Sequence, residues 1–186
     1  FIEDQVYKGN DFTQQALDTG EYESCTFSFC CFSNTDLSEN TFSNCLFEDC
    51  DLSMAKLKET AFRELKFKGC KLLGLRFDDC NQFSLSFEFE HCVLNFSSFY
   101  KMKLKGIRFS ACKLESVDFV QTDLTSALFK DCDLKLAVFE NTILESCDLR
   151  SSYNFSINPA LNKIKKAKFS AQNVVGLLDQ YQIIIE

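Results

Sequence analysis

The chain has 186 residues, a formal net charge of −7 at neutral pH, 21 Phe, no Trp and 11 Cys. That length fits one domain, the acidic balance disfavours nonspecific nucleic-acid binding, and no apolar run approaches the roughly 18 residues a membrane-spanning helix needs. The 6 glycines are scattered rather than gathered into a phosphate-binding loop, and the one histidine, His91, has no second imidazole with which to hold zinc.

From Tyr7 onward every fifth residue is large and apolar: Tyr7, Phe12, Leu17, Tyr22, Phe27, Phe32, Leu37, Phe42, Phe47, Leu52, Leu57, Phe62, Phe67, Leu72 and Phe77. The beat lapses at Gln82, slips by two residues within 82–93, and resumes from Leu94 to Leu149. A period of five fits neither an α-helix nor a flat strand, and repetition on this scale marks a solenoid. Two residues before each centre sits a smaller side chain, such as Cys25, Thr35, Ala55, Cys132 or Thr142. Residues two apart on a pleated segment share a face, so both positions point inward and the polar residues between them face water.

The cysteines test that reading. All but Cys31 lie two residues before a centre, and Cys30, Cys50, Cys70, Cys92, Cys112 and Cys132 are spaced 20, 20, 22, 20 and 20 apart. Four repeats therefore make one coil, with Phe27, Phe47, Phe67, Phe87, Phe109 and Phe129 in one column and Leu37, Leu57, Phe77, Phe99, Phe119 and Phe139 in the column opposite. The thiols read as small buried hydrophobes in a repeat slot rather than as a disulfide framework or metal site. They imply a reducing cytoplasm, with Cys31 as the exposed thiol. No secretory leader is visible in a chain that opens at Phe1 rather than Met.

After Leu149 the beat fails, with an irregular turn near 150–163 that includes Asn158-Pro159. Ile164 and Phe169 read as a final pair of repeats. Ser170 can then cap an α-helix whose residues Val174, Val175, Leu177, Leu178 and Tyr181 form an apolar stripe, followed by Ile183-Ile184-Ile185 as an extended segment. The chain is thus divided into a repeat region, 1–169, and a C-terminal capping or dimerisation segment, 170–186. Its apolar residues serve either to close the last coil or to pair two copies about a two-fold axis.

The five-residue repeat from Tyr7 to Leu149 resembles the pentapeptide-repeat family, whose members fold as right-handed quadrilateral β-helices. The run SINPALNKI followed by GLLDQYQIII is similar to the end of the microcin-immunity and quinolone-resistance (Qnr-type) members. That resemblance implies a homodimer joined tail to tail through Val175, Leu177, Leu178, Tyr181, Ile183, Ile184 and Ile185. It also implies a cytoplasmic, non-catalytic mimic of duplex DNA that binds DNA gyrase and topoisomerase IV and counters a gyrase poison, with no cofactor, direct nucleic acid or membrane involved. Two long loops carried by many Qnr-type proteins of Gram-negative bacteria have no counterpart here.

Projecting the outward residues onto the four sides puts Asp36, Glu39, Glu59, Asp78, Asp79, Asp118 and Glu140 on the Leu37-to-Phe139 side, the candidate partner-binding acidic face. Lys56, Lys58, Arg76 and Lys101 share it, and a basic belt crosses mid-rod through Lys66, Lys68, Lys71 and Arg76, with Lys101, Lys103, Lys105 and Arg108 beyond the insertion. The rival expectation is an interaction scaffold whose partner has no connection with DNA topology. A third, an enzyme working through His91 or Cys31, requires a pocket beside one of them.

Overall fold

A computed structural model describes residues 1–184. Its regular elements are short parallel strands stacked one coil above the next. One sheet joins β1 (Ile2–Glu3), β3 (Glu21–Glu23), β5 (Thr41–Ser43) and β7 (Ala61–Arg63). A second, seven-stranded sheet runs β2 (Val6–Lys8), β4 (Thr26–Ser28), β6 (Leu46–Glu48), β8 (Leu65–Lys68), β9 (Phe87–Glu90), β10 (Arg108–Ser110) and β11 (Leu128–Lys130). Isolated parallel bridges continue the same 20-residue register on the remaining sides, as in Asp11↔Cys31↔Asp51↔Lys71 and Ser98↔Asp118↔Val138. The result is an all-β parallel solenoid.

The register follows from the side chains. Each centre points into a column, and rings stack along it: Tyr7 on Phe27 at 4.8 Å and 4°, Phe27 on Phe47 at 4.7 Å and 10°, Phe109 on Phe129 at 4.9 Å and 11°. The facing column stacks likewise, Phe77 on Phe99 at 4.7 Å and 5°. The two columns meet edge to face in the middle of the rod, as where Phe119 and Phe129 are 5.8 Å apart at 88°. Offset stacks and edge contacts together suit the charge distribution of aromatic rings. Residues two after the centres, such as Asn34, Glu39, Met54 and Leu136, take a left-handed backbone at the corners.

The slot two before each centre does more than fill space. Its side chain donates to the carbonyl of a centre one coil earlier: Cys50 Sγ to Phe27 O at 3.2 Å, Thr60 Oγ1 to Leu37 O at 2.8 Å, Thr122 Oγ1 to Phe99 O at 2.7 Å, Ser152 Oγ to Phe129 O at 2.7 Å. Cys, Thr, Ser and Asn recur there because each is small and carries a donor. Ala55, Ala127, Ala137 and Val117 fill the same slot without a donor.

Two features differ from the sequence expectation. The 20-residue count places Phe87 in the Phe67 column, but Phe89 pairs with Phe67 and Phe109 there, while Phe87 pairs with Leu65. The two extra residues fall before Phe87, and Gln82, at the centre position, is exposed. Phe87 sits in the neighbouring slot and turns its ring toward Phe62 and Phe77, at 6.3 and 5.4 Å. Bridging on the Tyr22 side stops between Asn81 and Lys103, and on the Leu17 side between Lys56 and Arg76. The other two sides are bridged throughout, from Val6 to Lys168 and from Asp11 to Tyr153.

At the C-terminal end no α-helix forms among the described residues. Val174–Leu177 and Asp179–Tyr181 are two short 3-10 helices. Two β-branched residues and a glycine are poor α-helix formers. The chain is also pinned at Gly176, where a Cβ would meet Phe155 O at 2.3 Å. Ser170 caps no helix: the N-cap position is Asn173, and Ser170 Oγ, accepting from Asn173 N at 3.2 Å, closes the turn before it.

Candidate functional site

The acidic side is built from two kinds of carboxylate. Residues one before a centre fold back on the turn: Asp36 Oδ1 accepts from Ser38 N at 3.0 Å and Asp118 Oδ1 from Val120 N at 2.8 Å. Asp148, on the opposite, Tyr7 side, does the same with Arg150 N at 3.2 Å. Hydrogen bonds from Ser38 hold the Asp36 carboxyl below its ordinary range, since they stabilise the charged form. Glu39 and Glu59 are exposed corner residues with left-handed backbone, and Glu140 is exposed just after the Phe139 centre.

The seven expected carboxylates do lie along one side, but they are not equivalent. Arg76 Nη2 binds Asp78 Oδ2 at 2.6 Å, and Arg76 Nε stands 3.6 Å from Asp79 Oδ2. The other oxygen of Asp78, Oδ1, is buried without a hydrogen-bond partner. One guanidinium therefore interrupts the acidic run at its middle. Lys101 lies beside it, with its ammonium 4.8 Å from the Tyr100 ring centroid. Even so, on this side Asp18 and the seven carboxylates face only Lys56, Lys58, Arg76 and Lys101.

On the opposite, Tyr7 side the charges cancel. Glu48 and Lys68 pair at 3.1 Å across one coil boundary, and Lys66 and Glu88 at 3.1 Å across the next. The mid-rod basic belt is thus partly neutralised in place. Lys105 also pairs, with Asp123 at 3.5 Å. Among the described residues Lys71, Lys103 and Arg108 make no ion pair.

The C-terminal segment presents apolar surface on one face. Three residues per turn align Val175, Leu178 and Tyr181, and these are 42%, 36% and 60% exposed. Ile183 and Ile184 are also exposed, whereas Leu177 is half-buried and packs against the core. Ile185 lies outside the described residues. Asn173, which the sequence did not single out, ties the segment to the last coil, its Nδ2 donating to Leu149 O at 2.8 Å and Ser152 O at 2.9 Å.

The two residues that an enzymatic reading would use are apart from one another. His91 is exposed, with Nε2 3.7 Å from Glu90 Oε1. Cys31 is half-buried while the other ten thiols are buried. Burial pushes the Cys45 thiol up to about 12 and the Cys147 thiol up to about 12. Among the described residues no group of three or more His, Cys, Asp or Glu side chains is arranged to hold a metal, and no helix is long and apolar enough to cross a membrane.

Family models described as pentapeptide repeats (8 copies) and as a pentapeptide repeat region match residues 23–58 and 45–81, and residues 85–154. No curated protein matches the chain in sequence. Among solved structures, a trypsin-treated variant of QnrB1, a plasmid-mediated fluoroquinolone resistance protein, superposes with a TM-score of 0.66 at 17% identity, covering 99% of each chain. HetL, a pentapeptide repeat protein involved in heterocyst differentiation regulation from the cyanobacterium Nostoc sp. strain PCC 7120, superposes with a TM-score of 0.58 at 16% identity, covering 91% of this chain and 86% of its own.

Proposed function

Because this chain belongs to the pentapeptide-repeat family, we propose that it is a non-catalytic, DNA-mimicking protein that binds a type II topoisomerase and counters a gyrase poison. The observation that carries this reading is the uneven charge of the rod. Carboxylates outnumber cations two to one on the Leu17 side, while on the other three sides the two signs come close to balance. A protein surface evolved to clamp duplex DNA is lined with Lys and Arg, and a stacked carboxylate side offers it an alternative polyanion. The likeness to QnrB1, a fluoroquinolone resistance protein, supports the same reading. In it the coil is right-handed, the protein works in the cytoplasm, and two copies join tail to tail through Val175, Leu178, Tyr181, Ile183 and Ile184.

The test is gyrase supercoiling with the purified protein titrated in, with and without a fluoroquinolone. Inhibition, or relief of drug-induced cleavage, that weakens in an Asp36→Asn, Glu59→Gln, Asp118→Asn, Glu140→Gln variant supports the reading. No effect at tens of micromolar, or an effect indifferent to those four substitutions, overturns it. One observation favours a second reading, a scaffold for a partner unrelated to DNA topology: Arg76 breaks the acidic run by binding Asp78 and Asp79. If an Arg76→Gln variant gains gyrase affinity, the arginine is an imperfection in a mimic; if it changes nothing, the scaffold gains.

A further inference from the structure

The two-residue insertion coincides with a break in the coil on the Tyr22 side, and a cavity opens there. On the Tyr22 side every successive coil is bridged, Glu21↔Thr41↔Ala61↔Asn81 and Lys103↔Asp123↔Ile143↔Lys163, but Asn81 and Lys103 are not. At that break Leu85 and Ser86 are the two extra residues, Leu85 half-buried against the core, and a cavity of about 320 Å³ opens between the corner at Glu64–Lys66 and the corner at Lys103–Arg108. This lies within the size range of small-molecule sites.

The lining divides by chemistry. Its floor is Leu65, Phe87, Leu104 and Ile107, all buried members of the core. Its rim carries four cations, Lys66, Lys103, Lys105 and Arg108, against Glu64 and Glu88. Lys66 is held by Glu88 and Lys105 by Asp123, which leaves Lys103 and Arg108 without a carboxylate partner among the described residues. Backbone donors add to them. In neighbouring coils the equivalent N–H groups bond to the next or the previous coil, as Asn44 N does to Arg63 O and Asp123 N to Met102 O, but the N–H groups of Glu64 and Lys103 meet no protein acceptor among the described residues. Gly106, between the two free cations, lines the cavity with a left-handed backbone and open space where a Cβ would stand.

We infer that this cavity is a binding site for a small organic anion, an apolar body bearing a single carboxylate. The body covers the Leu65–Phe87–Ile107 floor while the carboxylate accepts from Arg108, Lys103 and the unpaired backbone donors. The inference is independent of topoisomerase binding. An apolar floor alone would take a neutral ligand, and a rim alone would take inorganic phosphate; the two together require both parts in one molecule.

The probe is 1-naphthoate, titrated into the full chain and followed by amide chemical shifts, with 2-naphthalenemethanol as the uncharged comparison. A ligand of that size held by ordinary contacts binds at about 1 mM. The expected result is saturable shifts at Ser86, Phe87, Gly106 and Ile107, with the alcohol at least about fivefold weaker and with Lys103→Gln and Arg108→Gln each costing about three- to fivefold. Deleting Leu85 and Ser86 restores the five-residue period and should abolish binding. Equal binding of acid and alcohol, shifts confined to the Val175–Ile184 surface, or no saturation by about 10 mM overturns the assignment. The two rim substitutions keep it testable if the deletion does not fold.

Discussion

The Phe87 ring meets the Phe62 ring edge-on, 6.3 Å between centroids and 78° between planes, in the space above Phe62 that the repeat would give to residue 82. Residue 82 is Gln and points to solvent. A large ring in the small-residue slot thus fills the place of a missing centre. Phe87→Ala should therefore cost about 3–5 kcal/mol in chemical denaturation. Phe83→Ala, four residues away at a 75% exposed ring, should stay within about 0.5 kcal/mol. Equal costs would show that the compensation is illusory.

The donor slot can be separated from its volume. Thr122→Val keeps the size but removes the bond to Phe99 O, leaving a buried carbonyl with one partner fewer, and should cost about 1–2 kcal/mol. Thr122→Cys keeps a donor and should cost less. Urea midpoints of the two variants decide the matter; a valine as stable as threonine would return the slot to a purely steric role.

Thiol labelling should be nearly binary. A maleimide under native conditions is expected to modify Cys31 alone, and the remaining ten cysteines only after denaturation, because burial hides them and raises thiols such as Cys45 to about 12. Intact mass spectrometry reads this directly. Rapid native labelling of Cys70 or Cys92 would mean that the coils open far more readily than their packing implies.

Why so much of this was legible, and some not, has a physical basis. The columns could be counted because one slot recurs every five residues and accepts only Phe, Leu or Tyr. Phe87 and Phe89 could not be told apart by counting, since both satisfy an apolar pattern and only the bulge at Leu85–Ser86 decides which one stacks on Phe67. The C-terminal stripe predicts a helical period of 3.6, and three residues per turn instead align Val175, Leu178 and Tyr181 on one exposed line while Leu177 packs half-buried against the core. Asn173 carried no signal, because its role is set by carbonyls of the preceding coil.

Acid should weaken the fold in a definite direction. The Asp148 carboxyl is held below its ordinary value of 3.8 chiefly by the Arg150 side chain, and the Asp36 carboxyl by hydrogen bonds from Ser38. A lowered folded-state pKa contributes stability above the ordinary value that disappears as pH falls through the folded one. Melting temperature is thus expected to be flat near neutrality and to fall below about pH 4, and Arg150→Ala should lose less between about pH 6 and pH 3 than the parent does. An identical acid limb in the variant would remove Asp148 from the account.

The exposed C-terminal face gives the last prediction. Leu178→Asp with Ile184→Asp should yield monomers by light scattering if two copies join there, with the melting temperature little changed because both side chains are exposed. An unchanged mass, whether dimer or monomer in both proteins, discards tail-to-tail pairing through these residues.

The interrupted bridging has a mechanical meaning as well. The Tyr7 and Phe12 sides are bridged through every coil, while the Leu17 side is cut between Lys56 and Arg76 and the Tyr22 side between Asn81 and Lys103. Both cuts fall on coils that touch, and both lie on the two sides away from the unbroken pair. The Leu17 side still keeps one backbone bond across its gap, Glu59 N to Asp79 O at 2.9 Å. That leaves the Tyr22 side between Asn81 and Lys103 as the weakest seam between coils, where amide exchange is expected to be fastest.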